Sequence, residues 1–353
     1  MDVRVVRQHR DLAALLPDWV RLFERDPRAT ARSEPHLIHA FHQMFTPEIR
    51  PRVLVATDGG GVVRGLLPLG LRLQRIGPIF VRQLVPLIDW HAYFTDAVLD
   101  PDQAGDASRA LRAALFALPW DQLEIRHIRR ESWLLDPKIG IVAGHPQLSQ
   151  SEGLPAPRIT LPTTAALRGR SHKDTCRRER ALQRSGEIVM GWEPEGPKLL
   201  PAAREFVRLH FALKAFQGQT RTFSFGTAER DFPSWLAHEV ATGRAGLFTT
   251  RRDGTILAAS VILRSHQESH SYRAAWAPAA TAFGLGILLT TRAIEACSAL
   301  GDRVFDLGPG IESYKAKWHP ESSALVNLSA SRSGWRPALA EAWLRLRGRP
   351  PQL

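Results

Sequence analysis

Residues 269–307, SHSYRAAWAPAATAFGLGILLTTRAIEACSALGDRVFDL, decide the fold. The first eight, 269–276, read as a strand. The turn Thr281-Ala282-Phe283-Gly284-Leu285-Gly286 then sets two glycines before a helix over 287–300, where Ile287, Leu288, Thr291, Ile294, Glu295 and Ser298 recur along the turns and Gly301 supplies the stop. A second strand, 303–307, follows directly. Strand, glycine-rich turn, helix and strand in this order make a unit of an α/β sheet.

Working outward, residues 246–251 and 255–264 are two apolar runs around Asp253-Gly254, a hairpin. Helices are expected over 201–216 and 229–242, and a last strand over 324–331. The first half repeats this order. Helices are expected over 12–25 and 35–45, then a hairpin over 53–71 around Asp58-Gly59-Gly60-Gly61, strands at 79–88 and 92–99, a helix over 102–118 and a strand at 123–128. The hairpins 53–71 and 246–264 match, so the chain reads as a distant internal duplication of an α/β module. The expected divisions are an N-terminal module over 1–150, a C-terminal module with the donor site over 151–335, and a basic tail over 336–353. The stretch 144–169, rich in Pro, Gly and Ser, is the expected join.

Length and composition agree. A chain of 353 residues is long for one domain and suits two. Hydrophobic residues at 44% and charged residues at 23% exclude wholesale disorder. Two cysteines, Cys176 and Cys297, exclude a disulfide scaffold, and the lack of a Cys/His cluster at zinc spacing leads us to expect no metal. No apolar run reaches the length of a membrane span, and no signal-peptide core follows Met1, so a reduced, cytoplasmic, soluble protein is expected. The net charge of +12 is concentrated. Residues 168–184 hold seven basic against two acidic residues, and 332–353 hold five against one. Such patches point to an anionic partner.

Three places carry chemistry. The Gly284–Gly286 turn lets a ligand approach the backbone, and the free N–H groups and positive dipole of a helix start suit a pyrophosphate. The segment Asp306-Leu307-Gly308-Pro309-Gly310-Ile311-Glu312-Ser313-Tyr314-Lys315-Ala316-Lys317-Trp318 gathers two carboxylates, a phenol and two ammonium groups at the end of a strand. A loop of that composition can hold a general base and a general acid together. The third is the helix from Ser171 to Gly186, whose Arg177, Arg178, Arg180 and Arg184 leave little apolar surface, so core burial alone does not account for it. Asp89, His91 and His210 are weaker candidates. No Gly-x-Ser-x-Gly elbow, P-loop or His-Glu-x-x-His is present.

These residues resemble a family. The basic helix 171–186, Leu209-His210, the hairpin 246–264, the strand and turn from Tyr272 to Gly286, and Asp306-Leu307-Gly308 through Glu312-x-Tyr314-Lys315-x-x-Trp318 are similar to the CelD-like branch of the GNAT (GCN5-related N-acetyltransferase) superfamily of bacterial polysaccharide loci, itself related to the FemAB-like aminoacyltransferases. The resemblance spans about residues 45–330. It implies two tandem GNAT-like modules, each a mixed sheet flanked by helices. It implies transfer of an acetyl group from acetyl-CoA to an amine of a small molecule or saccharide. On that reading Gly284, Leu285, Gly286, Lys315, Arg177 and Arg178 hold the donor. Glu312 or Asp306 is the base and Tyr314 the acid. Asp89, His91, His210 and Tyr272 meet the acceptor, which is expected between the modules. Thr281 stands where the family pattern carries Gln or Arg. Two alternatives follow from the same resemblance: an aminoacyl-tRNA-dependent transferase, in which the basic helix meets RNA, and a binding protein without catalysis.

Overall fold

The computed structural model describes residues 1–89, 96–142, 148–162, 170–219, 222–224 and 226–346. They fall into two compact units, Met1–Leu154 with Ala324–Leu353, and Pro155–Ser323. In chain order the elements are β1 (Asp2–Val6), α1 (His9–Arg25), α2 (Pro35–Phe45), β2 (Arg50–Thr57), β3 (Val63–Ile76), β4 (Ile79–Pro86), β5 (Val98–Leu99), α3 (Ala104–Ala117), β6 (Gln122–Ile128) and β7 (Ser149–Thr160). There follow α4 (Arg170–Gln183), β8 (Ile188–Trp192), α5 (Leu199–Phe216), α6 (Ala228–Ala241), β9 (Ala245–Arg252), β10 (Thr255–Ser265), β11 (Glu268–Trp276), α7 (Leu285–Ala299), β12 (Val304–Asp306), β13 (Glu321–Ser331) and α8 (Trp335–Leu346).

The first unit orders its strands β1-β2-β3-β4-β6-β13, antiparallel except for the parallel pair β4/β6. The second orders them β8-β9-β10-β11-β12-β7, antiparallel except for the parallel pair β11/β12. Each is a mixed sheet flanked by helices, and the two orders correspond strand for strand. A parallel pair needs a crossover connection, which α3 supplies in one unit and α7 in the other. The helices bury one stripe. In α1 the buried residues are Leu12, Leu15, Trp19, Leu22 and Phe23, with Leu22 and Phe23 three and four residues after Trp19. In the second unit Leu288, Leu289 and Ile294 of α7 pack with Phe305, Leu307 and Trp318. The opposite side of that sheet meets α5, where Phe206, Phe223 and Phe232 cluster.

The structure departs from expectation in three places. The proline-rich join contains β7. Pro155 and Pro157 lie two apart, so their missing N–H groups face one edge, while their carbonyls accept from Gly310 N at 2.9 Å and Leu307 N at 3.0 Å. Residues 324–335, expected in the C-terminal module, belong to the first unit. There Leu328 and Ala330 pair with Ile125 and Leu123 of β6 and join the same core. The expected tail contains α8, which packs on β4 and β3 with the Trp343 ring against Gly77. Of the strand expected over 92–99, only Val98–Leu99 is a strand among the described residues; 92–95 lie outside them. No helix among the described residues is long and apolar enough to cross a membrane.

Candidate active site

The site starts where the parallel pair β11/β12 stops. Pairing runs Glu268↔Val304, Ser269↔Phe305 and His270↔Asp306. Beyond it β11 continues to Trp276, while the chain after Asp306 turns away through Gly308 (φ +73°) and Gly310 (φ +137°). The result is a fork in the sheet, and the edge of β11 beyond His270 has no ladder partner from β12.

The helix α7 begins beside β11. Gly284 caps it in the left-handed region at φ +65°, which a glycine adopts without the Cβ penalty, and no side chain caps the first turn. A helix start without a side-chain cap, at the positive end of the helix dipole, suits an anion. The Arg178 guanidinium of α4 sits so close over Gly284 that a Cβ there would collide with it. Arg178 is oriented by Asp174, to which its Nε donates at 2.8 Å. Asp174 also accepts from Arg177 at 2.7 Å and has Lys317 at 3.7 Å. Hydrogen bonds from Arg178 and Arg177 hold the Asp174 carboxyl down at about 2, so the anchor stays charged. Residue 281 is a threonine, and the cation at this turn comes from another helix.

A pocket of about 280 Å³ opens at this turn. Ala274 and Trp276 of β11, Thr281, the Gly284–Gly286 backbone and Tyr314 line it. Gly286 is needed for the approach, because a Cβ there would lie 3.0 Å from the Trp276 ring. Tyr314 arrives on the segment that the sequence singled out. Trp318 pins this segment to α7, its Nε1 donating to Thr291 Oγ at 3.1 Å, and Tyr314 packs edge-on against the Trp318 ring. Partial burial, then the nearby Glu312 charge, pushes the Tyr314 phenol up to about 12, so it stays protonated.

The other residues of that segment differ in exposure. The Glu312 carboxylate is half-exposed and ion-paired with Lys315 at 2.9 Å. Lys315 is buried and also donates to the carbonyls of Gly308 at 2.9 Å and Pro309 at 3.1 Å. It was expected to hold a phosphate; its ammonium instead ties the Gly-Pro-Gly turn together. Asp306 is fully buried, accepts from Gly308 N at 2.7 Å and lies 3.3 Å from His270 Nδ1. Glu268, His270 and Asp306 place one donor atom each within 4.8 Å of one another, a set that a divalent cation would accept. Arg158 lies 3.7 Å from Glu268. His270 and Glu268 were missed. The signal was there as Glu-x-His on one face of a strand, but its register against Asp306 is a tertiary fact.

The candidate acceptor residues are divided between the two units. Asp89 lies in the first unit, at φ +41° and ion-paired with Arg72 at 2.6 Å. His91 lies outside the described residues. His210 is fully buried among Phe206 and Phe223, with no hydrogen bond to either ring nitrogen among the described residues. Tyr272 is buried against Phe232, at a bulge where Val261 faces Arg273 and Ile262 faces Ser271. Neither lines the pocket beside Gly284.

Comparison with known proteins fits this architecture. Residues 169–316 match the family model of the acetyltransferase (GNAT) domain. No functionally curated protein matches the chain. Among solved structures the chain is similar to a domain described as the C-terminal part (DUF2156) of a lysylphosphatidylglycerol synthetase from Agrobacterium fabrum, at 15% identity over 95% of each chain with a TM-score of 0.60. It is similar to L-PGS from Bacillus licheniformis, at 14% identity over 92% of this chain and 98% of that one, with a TM-score of 0.55. It is also similar to FemX, at 11% identity over 97% of this chain and 99% of that one, with a TM-score of 0.60. Residues 169–316 are therefore similar to the acetyltransferase (GNAT) domain, within an α/β fold that the chain shares with these structures along nearly its whole length.

Proposed function

We propose that the second unit is an acyltransferase that moves an acyl group, acetyl in the simplest case, from a coenzyme A thioester to an amine. The observation that carries this reading is the convergence of three features on one pocket: an uncapped helix start at Gly284, a cation over it from Arg178, and a protonated phenol at Tyr314. The donor's pyrophosphate lies on the first turn of α7 under Arg178, and its acyl arm runs along the apolar wall formed by Ala274 and Trp276. The acceptor amine attacks the thioester carbonyl in its neutral form. Glu312 is the carboxylate that an incoming amine reaches, since Asp306 is sealed inside, and it takes the amine proton. The new N–C bond forms, the C–S bond breaks, and the departing thiolate takes the Tyr314 proton. The β11 edge at Ala274 and Trp276, which line the pocket, offers backbone N–H groups to the developing oxyanion. Asp306 and His270 act as positioning residues that fix the vertex of the fork. The acceptor class is an amino group on a small molecule or saccharide, as the CelD-like resemblance implies.

A second reading takes an aminoacyl-tRNA as donor. It is favoured by the whole-length fold likeness to FemX and by the exposed Arg177 on α4. Thiol release from acetyl-CoA, measured with a panel of primary amines, decides between them. Native protein should turn over, and Tyr314→Phe should lower kcat by roughly a hundred-fold with KM and melting temperature unchanged. A fully active Tyr314→Phe overturns the acid assignment. Binding of tRNA that weakens steeply with salt, with no thiol release, overturns the donor assignment.

A further inference from the structure

An exposed apolar helix face lies far in sequence from the pocket, on α8. This helix is apolar on two sides. Pro337 and Ala340 are buried, and Trp343 packs on the β3–β4 turn at Gly77. The outward stripe is Trp335, Ala338, Leu339, Ala342 and Leu346, positions three, four, seven and eleven residues on from the first. Trp335 is 66% exposed, Leu339 51% and Leu346 86%. A folded surface rarely leaves a tryptophan and two leucines aligned in water. The hairpin under the helix repeats the theme, since Leu73 and Phe80 are exposed and stand across the ladder from Arg82 and Arg75.

The charge around this stripe is positive. Arg336 lies over the Trp335 ring at 5.1 Å, and both it and Arg82 share Asp121. Arg332 lies over Trp120 at 4.1 Å, and Arg345 pairs with Glu341 at 2.5 Å. Arg75 donates to the carbonyl of Gly77, the glycine under Trp343. Five arginines thus face two carboxylates. An apolar stripe with an aromatic end, bordered by arginine and too short to span, suits the boundary between the headgroups and acyl chains of a bilayer. The basic border selects an anionic one.

We infer that α8 and the end of the β3–β4 hairpin form a peripheral docking surface for an anionic lipid bilayer, with Trp335, Leu339 and Leu346 entering the interface. This inference is independent of the reaction proposed above. The test is co-sedimentation of the full chain with vesicles of phosphatidylcholine alone and of phosphatidylcholine with one quarter phosphatidylglycerol, at low and physiological salt. The native chain should bind the anionic vesicles at least ten-fold better than the neutral ones. The double variant Trp335→Ser/Leu339→Ser should lose that binding with an unchanged melting temperature, because both residues are exposed. Arg345→Gln, which leaves the apolar stripe intact, should weaken binding roughly five-fold. Equal binding to both vesicle types, or no binding to either, overturns the inference. So does a concentration-dependent dimer that the double variant abolishes, since that makes the stripe a contact between copies.

Discussion

A fully buried imidazole without a hydrogen-bond partner is held neutral by desolvation. His210 has no such partner among the described residues, and burial, with Arg273 and Lys214 nearby, brings its pKa down to about 3. The ordinary value near 6.5 is recovered on unfolding, so between these limits the unfolded chain binds the extra proton. Stability from this group is complete above about pH 6.5 and is lost as the pH falls towards 3. His39 in the first unit, lowered to about 4 chiefly by burial, acts in the same direction. The urea midpoint should therefore drop between pH 7.5 and 4.5, and His210→Leu should recover part of the drop, up to about 3 kcal/mol. An identical drop in the variant contradicts this assignment. At this scale the sequence gives residue types more readily than partners. Tyr314 and the Gly284 turn, singled out by their local residue types, line the same pocket. The locking role of Lys315 and the pairing of His270 with Asp306 depend on chain segments meeting, which spacing along the sequence does not reveal.

Elements were easier to read than side chains. The helix α2 occupies the expected span 35–45, and both hairpins form around their Asp-Gly turns, because a 3.6-residue stripe and a two-residue alternation are properties of the local chain. The helix α7 starts two residues earlier than expected, at Leu285, since Gly284 itself serves as its cap. β7 was misread because proline and glycine mark loops in general; here the Pro155 and Pro157 carbonyls still accept from Gly310 and Leu307. The short pairing of β11 with β12 was also invisible in sequence, although it opens the fork. The strength of the site lies in these elements. α4 supplies the cation over Gly284, α7 a helix start without a side-chain cap, and Trp318 holds the Tyr314 segment to α7.

The duplication was legible in the order of elements, but the exchange of terminal strands was not. β7 leaves the first half of the chain to pair with β12, and β13 returns from the second half to pair with β6. Hydrophobic patterning marks a strand without saying which sheet it joins. One consequence is testable. A chain ending at Ser323 lacks Val326, Leu328 and Ala330, which belong to the core of the first unit. Deleting three buried side chains costs several kcal/mol (about 2 or more for each large one), so the truncated chain should show the first unit digested by protease at temperatures where the full chain resists. Equal resistance would mean that β13 is dispensable. The central claim, that a phosphate-bearing donor sits at the start of α7 beneath Arg178, is tested most directly by calorimetric titration of coenzyme A into the native chain, Arg178→Ala and Arg177→Ala. A charge-assisted phosphate contact predicts native binding weakened about ten-fold or more by Arg178→Ala, and less than about two-fold by the exposed Arg177→Ala. Native protein that ignores coenzyme A, or equal losses in the two variants, would contradict it.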